Sequence, residues 1–543
     1  MSSFQRDAAW RALSSRPIDL VVIGAGMTGA GVALDAASRG LSVALVDASD
    51  FASGTSSKSS KMVHGGLRYL QQREFRLVYE NLRERQRLLE NAPYLVTPLP
   101  FLIPIFSKNQ VLSKTLVKGY ATALRLYDWS GGWRIGHRHR RVSKQEALAH
   151  LPTLRTTSLA AGFLYYDARG DDARVALTLA KSAVDFGALA LNYVRAVAVA
   201  KDASGRVRSV RLRDERSGDE LDVATTCVVN ATGVWADQIF AMTEKSESHQ
   251  ITPAKGIHVS VARERLPTDV AAVLNVPGDR RSIFVVPFDD APYTFIGTTD
   301  TPYDGGLDEP LSTAEDVAYL LSAVNAATTS DLQVQDVTGV WAGLRPLLAP
   351  QHGEALHQRT SDLSRRHRVT DTRDGVIHVT GGKWTTYRKM AQDAVDALGP
   401  YVTTLSRVRT KRLALHGVSP WRPSGDLENH LFGRFGSDTP DVLRLIELEP
   451  TLGEVMIENQ PYVGAEFVYA VREEMATSLI DLLTRRTRAH LHDARATLAA
   501  AAGIAALVAP VAGWSESETR AQIAAYEALV RLEFDAAGLT VAP

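Results

Sequence analysis

IDLVVIGAGMTG, residues Ile18–Gly29, is an apolar strand that runs directly into three glycines with the spacing of a dinucleotide-binding turn. The first glycine allows the tight turn, the second lets a pyrophosphate approach the backbone, and the third permits close packing of helix and strand. The helix that follows directs free N–H groups at the phosphates. The predicted diphosphate site comprises Gly24, Gly26, Met27, Thr28 and Gly29.

A second strand completes a βαβ unit around this turn. Gly40 ends the predicted helix after Arg39, and the strand Leu41–Val46 leads to Asp47. A carboxylate at the end of the second strand accepts hydrogen bonds from ribose hydroxyls. Asp47 therefore favours NAD or FAD over NADP.

Two later segments distinguish between these cofactors. Val228–Gly233 is a strand that enters a turn of small residues, and Gly381–Thr386 places another glycine turn at a helix start. N–H groups there can face the electron-rich pyrimidine end of a reduced flavin. With the N-terminal unit, these segments resemble the three cofactor-contacting segments of FAD-dependent oxidoreductases of the amine-oxidase type, so we predict FAD. The predicted contacts are Ala231, Thr232, Gly233, Gly381, Gly382, Lys383, Trp384 and Thr385.

A more specific resemblance begins in the loop after the βαβ unit. Residues 56–70 read SSKSSKMVHGGLRYL, and residues 73–85 read REFRLVYENLRER. Both runs closely resemble FAD-dependent glycerol-3-phosphate dehydrogenase of the respiratory kind. Residues 466–488 resemble the C-terminal domain of that family. Further matching segments, in the family's order, are Lys255–His258, Ile296–Asp300, Gly343–Leu347 and Gly381–Arg388.

The resemblance implies both an activity and further cofactor contacts. The implied reaction is oxidation of sn-glycerol 3-phosphate to dihydroxyacetone phosphate by hydride transfer to FAD, with electrons passed to a membrane quinone. The implied FAD contacts in the loop are Thr55, Ser56, Ser57, Ser60, Lys61, His64, Gly65 and Gly66.

Glycerol 3-phosphate is a small dianion with a secondary alcohol, so its site requires fixed cations and a group that takes the hydroxyl proton. Arg68, Arg345 and Lys383 lie in segments bounded by glycine or proline, where a side chain can be held at a cleft. By resemblance these cations and Arg365 bind phosphate and polarise the developing carbonyl, although Arg365 could be exchanged with Arg366 in the alignment. The predicted substrate-binding residues are Arg68, Tyr69, His258, Arg345, Arg365 and Lys383.

His258 is the first candidate for the proton acceptor, because it begins a strand in the predicted substrate layer and an imidazole of near-neutral pKa suits the step. His64 is the second candidate, and its alternative role is to position the flavin. With Arg345 and Lys383 these histidines form the predicted catalytic set. Tyr69 either hydrogen-bonds the phosphate or packs.

Composition limits the partners and the route of the electrons. The 61 Lys and Arg balance 61 Asp and Glu over 543 residues, which gives no attraction to nucleic acid. Cys227 is the single cysteine, so the chain has no intrachain disulfide and no thiolates for an iron–sulfur cluster, and we predict no metal site. Electrons must therefore leave the flavin for a membrane quinone or for dioxygen, and the resemblance favours quinone.

A quinone lies in the bilayer, so the enzyme should contact a membrane. Residues 101–141 carry eight Lys and Arg against Asp128 alone, with interleaved tyrosine and tryptophan, and could lie on anionic headgroups. The alternative is a solvated basic face or a substrate-entry funnel. The start of the chain has no uninterrupted apolar region of a signal peptide, so we expect attachment to the inner face of the cytoplasmic membrane. Leu498–Trp514 is interpreted as a packed helix, and the tail could serve homodimer formation.

The predicted fold class is α/β, with an FAD-binding Rossmann-like domain, an inserted antiparallel-sheet substrate domain and a C-terminal helical domain. The first two interleave over residues 17–400, the FAD domain taking 17–95, 155–250 and 345–400 and the substrate domain taking 96–154 and 251–344. A linker spans 401–425, and the helical domain spans 426–543.

Three alternatives to this function remain open on the sequence. The nearest is glycerol-3-phosphate oxidase, which has the same half-reaction but releases peroxide. The second is an amino-acid oxidase of the sarcosine or glycine type, whose substrate carboxylate needs fewer cations. The third is a flavoprotein scaffold or sensor, whose flavin no substrate would reduce.

Overall fold

The computed structural model describes residues 4–15, 17–67, 69, 74–107, 114–243, 251–279, 281–297, 300–349 and 366–541. Two predicted substrate-binding cations, Arg68 and Arg365, lie outside the described residues. The strands, in chain order, are β1 Ile18–Ile23, β2 Val43–Val46, β3 Met62–Val63, β4 Val96–Phe106, β5 Arg140–Val142, β6 Leu159–Gly170, β7 Leu189–Leu191, β8 Val194–Lys201, β9 Val207–Asp214, β10 Glu220–Asn230, β11 Ile251–Ala262, β12 Ala271–Asn275, β13 Ser282–Pro287, β14 Tyr293–Gly297, β15 Thr301–Pro302, β16 Val337–Leu348, β17 His367–Asp371 and β18 Val376–Gly381.

Helices cover both sheets and form most of the chain after residue 426. The helix Phe75–Asn91 is buried along one face, as the sequence spacing of residues 74–90 predicts. The helices are α1 Arg6–Leu13, α2 Met27–Ser38, α3 Phe75–Asn91, α4 Lys114–Trp129, α5 Lys144–His150, α6 Asp172–Asp185, α7 Ala236–Thr243, α8 Ala314–Ala327, α9 Tyr387–Ala397, α10 Asp426–Phe435, α11 Thr439–Leu448, α12 Gly464–Glu473, α13 Leu479–Asp481, α14 Ala489–His492, α15 Ala494–Ala512 and α16 Glu516–Ala536.

The first sheet has a parallel centre in the order β18-β10-β1-β2-β7, with β17 antiparallel at one edge and the β8–β9 hairpin attached to β10. Its central strands are almost entirely apolar because both faces are buried. Helices α2, α6 and α9 pack together on one face. The carboxyl ends of β1, β2, β10 and β18 meet at one edge, where a doubly wound sheet binds its ligand.

The second sheet is mostly antiparallel, in the order β15-β11-β14-β13-β12-β4-β6-β3, with β16 on β11 and β5 on β6. The predicted hairpin across residues 289–292 is present as β13 and β14. Strands β3 and β6 lie in segments predicted for the FAD domain, yet they pair in this sheet. The reason is long-range: β6 pairs with β4 along the whole length of β4, a register that local pattern does not encode.

The C-terminal helical region docks on the first sheet and its helix α6 through buried ion pairs. Arg486 and Arg485 each contact Asp50 at 2.7 Å, immediately after the predicted ribose-binding segment. Arg174 of α6 contacts Glu474 at 2.6 Å. Removing one partner of such a pair costs about 3–5 kcal/mol, because it leaves a buried charge without compensation. These contacts fix the helical region against the first sheet.

Helix α15 is long and apolar enough to cross a membrane by length and composition, with a mean hydropathy of 1.6. It nevertheless packs against α12 and α16, and a third of its most apolar window is buried. The buried positions recur every three or four residues, as in a packed helix, which agrees with the sequence interpretation. They are Ala494, Thr497, Ala501, Ile504, Ala505 and Val508. Homodimer formation stays a prediction.

His416, in the predicted linker, joins α6 to the C-terminal helices. Its Nδ1 lies 2.8 Å from Asp185, and its Nε2 lies 3.0 Å from Asp438. Although burial opposes the charge, these carboxylates raise the pKa of His416 to about 9. The imidazolium therefore stabilises the folded state fully below the unfolded pKa of about 6.5, and the contribution is lost as the pH rises through 9.

Replacing His416 with glutamine should lower the free energy of unfolding at pH 6 by about 1–2 kcal/mol, after allowance for solvent screening. The difference between the variant and the unmodified protein should shrink when denaturant unfolding is repeated at pH 9.5. A difference that is equal at both pH values would show that His416 acts by packing and not by charge.

Candidate active site

A single connected cavity of about 870 Å³ lies between the two sheets, at the carboxyl edge of the first. One end is lined by the glycine turn after β1, by Asp47 and by the turns after β10 and β18. The other end is lined by β11, β16 and aromatic side chains of the second sheet. The cavity thus joins the predicted cofactor segments to the predicted substrate layer.

The glycine turn after β1 is built for close approach. Gly24 has φ +99°, and an added Cβ would lie 2.8 Å from the carbonyl oxygen of Ala231. At Gly26 a Cβ would lie 2.9 Å from Ser56 Oγ, which accepts the Met27 N–H at 2.9 Å. At Gly29 an added Cβ would overlap the Gly24 carbonyl. Only backbone atoms and small side chains therefore surround the start of the helix. This arrangement lets a diphosphate approach the free N–H groups closely.

Asp47 is held at the cavity wall by two backbone donors. Its carboxylate accepts the Ala25 N–H at 2.6 Å and the Ser49 N–H at 2.9 Å. Burial raises its pKa to about 6, because desolvation disfavours the charge more than these two bonds favour it. A carboxylate in this position can accept ribose hydroxyls and recover part of the lost solvation.

Replacing Asp47 with asparagine should weaken FAD binding about 10- to 100-fold, the loss expected for charge-assisted hydrogen bonds. Titration of the FAD-free protein with FAD, followed by flavin fluorescence, measures this affinity. Asp19→Asn, at the opposite end of β1, is the matched control and should leave the affinity unchanged. In the unmodified protein the affinity for FAD should also fall as the pH drops through about 6, where Asp47 becomes protonated. Equal FAD affinities for the unmodified protein, Asp47→Asn and Asp19→Asn would contradict the role of Asp47.

The two later turns complete a surface that fits FAD. Gly381 and Gly382 have φ +74° and +83°, and an added Cβ at Gly382 would lie 2.6 Å from Met390 Sδ. Thr232 and Gly233 line the same wall. A dinucleotide diphosphate at the first turn and a flat ring toward the last two turns match this arrangement of small residues and backbone amides.

His258 lies at the substrate end of the cavity, on β11, and is 2% exposed. Its ring stacks on Trp341 with a centroid distance of 4.8 Å, and its Nε2 lies 2.8 Å from Ser60 Oγ. An added Cβ at Gly297 would overlap the imidazole, so only glycine leaves room for this rotamer. Burial, with Lys61 and Arg345 nearby, lowers the pKa of His258 well below 6.5. His258 is therefore neutral at physiological pH and able to accept a proton.

Two of the predicted cations reach the same end of the cavity. Lys383 Nζ lies over the Tyr69 ring, 4.0 Å from the centroid. Arg345 crosses directly over Gly256, where an added Cβ would lie 2.5 Å from the guanidinium, and contacts Asp300 at 3.0 Å. Their ammonium and guanidinium groups can bind a phosphate dianion with charge-assisted hydrogen bonds.

Arg366, which the sequence alignment left interchangeable with Arg365, has a different position. Its Nη2 contacts Glu74 at 2.6 Å on the exposed surface, and Arg366 does not line the cavity. The exposed side chains of this pair are open to solvent, where an ion pair contributes about 0–1 kcal/mol. Among the described residues, Arg366 thus lies at the surface with Glu74 and not in the lining of the cavity.

Most of the predicted loop contacts line the cavity, and four predicted cofactor residues do not. Gly29 packs behind the first turn, and Ser57 points to the Gly54 carbonyl. Lys61 contacts Asp172 at 3.2 Å beneath the loop, and Gly65 is buried against helices α3 and α4. The loop residues that do line the cavity are Thr55, Ser56, Ser60, His64 and Gly66.

One wall of the cavity was not predicted from the sequence. Phe101 of β4 stacks on Tyr165 of β6 at 5.1 Å and meets Phe284 of β13 edge-on at 6.4 Å, and Tyr120 of α4 closes the side. We call these four residues the aromatic wall. Trp341, which stacks on His258, was not predicted either, although it lies only two residues before the matching segment Gly343–Leu347.

A comparison with known families assigns the class. A family model described as FAD dependent oxidoreductase matches residues 19–410, and one described as the C-terminal domain of alpha-glycerophosphate oxidase matches residues 377–519. The first match covers most of the chain and agrees with the cavity, so this protein is an FAD-dependent oxidoreductase with the predicted α/β fold and C-terminal helical domain.

Individual relatives identify the particular family within this class. "Glycerol-3-phosphate dehydrogenase 2" of Mycobacterium tuberculosis is 39% identical, over 97% of this chain and 91% of its own length. The mitochondrial glycerol-3-phosphate dehydrogenase of Homo sapiens is 33% identical over 93% of this chain and 72% of its own. The chain belongs to the family of FAD-dependent glycerol-3-phosphate dehydrogenases, as the sequence motifs predicted.

Solved structures agree with this assignment. The glycerol-3-phosphate dehydrogenase from Bacillus halodurans, solved in complex with FAD, superposes with a TM-score of 0.78 at 29% identity, over 98% of both chains. L-alpha-glycerophosphate oxidase from Mycoplasma pneumoniae gives a TM-score of 0.55 at 16% identity, over 72% of this chain and 96% of its own. That second likeness shows the fold alone.

Proposed function

We propose that this chain oxidises sn-glycerol 3-phosphate to dihydroxyacetone phosphate, with FAD as the hydride acceptor. The observation that carries the proposal is the convergence of a neutral histidine, His258, with Arg345 and Lys383 at one end of the FAD cavity. A phosphate dianion needs the two cations, and a secondary alcohol needs the base. The names of the relatives support the same substrate.

The residues divide the work of the reaction. Together, Arg345 and Lys383 hold the phosphate and the hydroxyl group of the substrate. This orientation places C2 toward the flavin end of the cavity. As the C2–H bond breaks with its electron pair, the hydroxyl proton passes to His258, and Ser60, 2.8 Å from Nε2, can relay it. Bound FAD supplies the acceptor for the hydride. The products are a ketone, a reduced cofactor and a protonated imidazole.

Product analysis tests this reaction. With an artificial two-electron acceptor in excess, sn-glycerol 3-phosphate should yield equimolar dihydroxyacetone phosphate. Glycerol without phosphate and sarcosine are the controls, and neither should react at a comparable rate. Turnover of sarcosine without turnover of glycerol 3-phosphate would select an amino-acid oxidase, and no turnover of any substrate would select a scaffold or sensor.

For the second half-reaction we propose a membrane quinone. The aromatic wall lines the same cavity and supports an apolar, planar acceptor, because aromatic rings favour stacked or edge-on contacts with such a group. A charged substrate such as glycerol 3-phosphate would gain little from contact with these aromatic rings, because they do not replace its hydrogen bonds to water. The single cysteine leaves no relay through an iron–sulfur cluster, so the acceptor must approach the flavin.

A group of exposed apolar side chains on and directly after helices α3 and α4 supports membrane attachment. We call Phe75, Tyr79, Leu126, Trp129 and Trp133 the aromatic rim; Trp129 is 84% exposed and Trp133 is 55% exposed. Arg134 lies over the rings of both Tyr79 and Trp133 at 5.6 and 5.7 Å. Exposed aromatic rings among basic side chains fit the headgroup region of an anionic membrane at its inner face.

The acceptor and the membrane contact can be tested together. Anionic vesicles that contain a quinone should accept electrons at a rate far above that of dioxygen, and the enzyme should sediment with them. Trp129→Ser with Trp133→Ser should reduce sedimentation about tenfold or more, while Leu448→Ser, which removes another exposed leucine (77%), should not. Stoichiometric peroxide in detergent without quinone would instead establish an oxidase.

A further inference from the structure

A buried polar network lies beside the turn His64–Gly66, and the proposed reaction does not use it. Its side chains come from three elements: Asn81 and Arg85 from α3, Tyr127 from α4 and Asp167 from β6. All four are at most 1% exposed. Burying polar side chains is costly unless they are hydrogen-bonded, and each of the four makes at least one hydrogen bond within the network or to Gly65.

The network converges on one glycine. The Gly65 N–H donates to Tyr127 Oη at 2.9 Å and lies 3.2 Å from Asp167 Oδ1, while the Gly65 carbonyl accepts from Asn81 Nδ2 at 3.0 Å. An added Cβ at Gly65 would lie 2.5 Å from Tyr127 Oη. Both backbone polar groups of this residue are therefore fixed by side chains from different elements.

Tyr127 and Arg85 in turn hold the carboxylate of Asp167. Tyr127 Oη donates to Asp167 at 2.6 Å, and Arg85 Nη1 contacts it at 2.7 Å. Burial and the neighbouring carboxylate raise the pKa of Tyr127 well above 10, so its hydroxyl stays protonated and keeps donating. The Tyr127 hydroxyl thus accepts from Gly65 and donates to Asp167 at the same time.

The residues on each side of Gly65 face the reaction. His64 lines the cavity, and its N–H lies 3.4 Å from Thr385 Oγ1 in the last cofactor turn. Gly66, with φ +82°, stands against the Tyr69 ring, and an added Cβ there would lie 3.4 Å from Lys383 Nζ. A displacement of Gly65 would therefore move the wall of the cavity relative to both the flavin turn and the Lys383–Tyr69 pair.

We propose that Tyr127 is a positioning residue for flavin reduction: through its paired bonds to Gly65 and Asp167 it fixes the His64–Gly66 turn against the cofactor and the substrate. An apolar side chain could pack α4 equally well, but it could not orient the Gly65 amide. Misplacement of reacting groups by about 1 Å can cost 100-fold in rate. The rate part of this inference rests on the proposed function.

The test is Tyr127→Phe, which keeps the ring and its edge-on contact with Tyr165 at 6.0 Å but removes the hydroxyl. In the FAD-loaded enzyme, anaerobic reduction by saturating glycerol 3-phosphate should slow about 10- to 100-fold, with the KM changed less than threefold. The visible spectrum and the midpoint potential of the bound flavin should also shift, and both are measured without substrate. Asp167→Asn should shift them in the same way.

The matched control is Tyr94→Phe, which removes the hydroxyl of a partly buried tyrosine that donates to the His416 carbonyl at 2.8 Å, away from the cavity. It should lower the melting temperature without changing the flavin spectrum, the potential or the rate of reduction. A Tyr127→Phe enzyme that behaves like this control would overturn the inference. If the unmodified enzyme is not reduced by glycerol 3-phosphate, the proposed function fails, and the spectrum and potential of the two variants still decide the role of Tyr127.

Discussion

Replacing His258 with asparagine should slow reduction of the flavin by glycerol 3-phosphate about 100- to 10,000-fold, the range that general-base catalysis contributes. Asparagine keeps a polar side chain near Ser60 but cannot accept the hydroxyl proton. His378→Asn is the matched control, because it removes another buried histidine whose pKa burial lowers to about 4 and which lies outside the cavity. A His258→Asn enzyme reduced at the unmodified rate would remove His258 from the reaction.

The pH dependence provides an independent check on the same residue. Burial keeps the pKa of His258 well below 6.5, so the imidazole is neutral and competent throughout the neutral range. The rate constant for flavin reduction should therefore be nearly constant from pH 7 to 8 and fall only in acid, as His258 becomes protonated. Saturating FAD is required at low pH, because Asp47 titrates near 6. A steep rise in rate between pH 6 and 8 would indicate a different base.

Replacing Arg345 with alanine should weaken substrate binding by about 2–4 kcal/mol, or about 30- to 1,000-fold, if the guanidinium pairs with the dianion in a desolvated cleft. The substitution also removes the guanidinium that contacts Asp300 at 3.0 Å, so this carboxylate has one cation fewer beside it. Arg345→Lys should recover only part of the affinity, because an ammonium group lacks the planar fork.

Arg366→Ala is the control for this substitution, since Arg366 pairs with Glu74 on the surface. It should leave the affinity within about twofold. The dissociation constant of glycerol 3-phosphate, obtained from the substrate dependence of anaerobic flavin reduction, is the quantity to compare. Unchanged affinity in Arg345→Ala would place this arginine outside the substrate site, and a large loss in Arg366→Ala would reverse the two assignments.

The local parts of the fold were predictable from the sequence. The βαβ unit around Gly24 follows from an apolar strand, a glycine spacing and a helix stop at Gly40, all within thirty residues. The β13–β14 hairpin follows from its turn in the same way. The segment that contains β6 was predicted to belong to the FAD domain, but β6 pairs with β4 in the second sheet. This pairing joins residues about sixty positions apart and depends on tertiary packing, so local sequence does not encode it.

In the candidate site, too, residues in local motifs were predictable and residues brought together by long-range packing were not. His258, Arg345 and Lys383 stand in motif segments, and the structure brings them to one end of the cavity. The aromatic wall could not be predicted from the sequence. Phe101 and Phe284 lie on strands that are far apart in the chain, and only the pairing of the sheet brings their rings together. Residues 101–141 were expected to be a basic, aromatic contact surface; the structure buries Tyr127 of this region and exposes Trp129. Which side of α4 faces the core depends on its partners and not on composition.

The most direct test of the proposed reaction is an anaerobic spectrum of the purified, FAD-loaded protein during addition of sn-glycerol 3-phosphate, with sarcosine as the control. We predict that the phosphate ester alone bleaches the visible flavin band, with one equivalent of dihydroxyacetone phosphate formed for each flavin reduced. A flavin that stays oxidised with glycerol 3-phosphate, or is bleached only by sarcosine, would contradict the proposed substrate while leaving the FAD-binding fold intact.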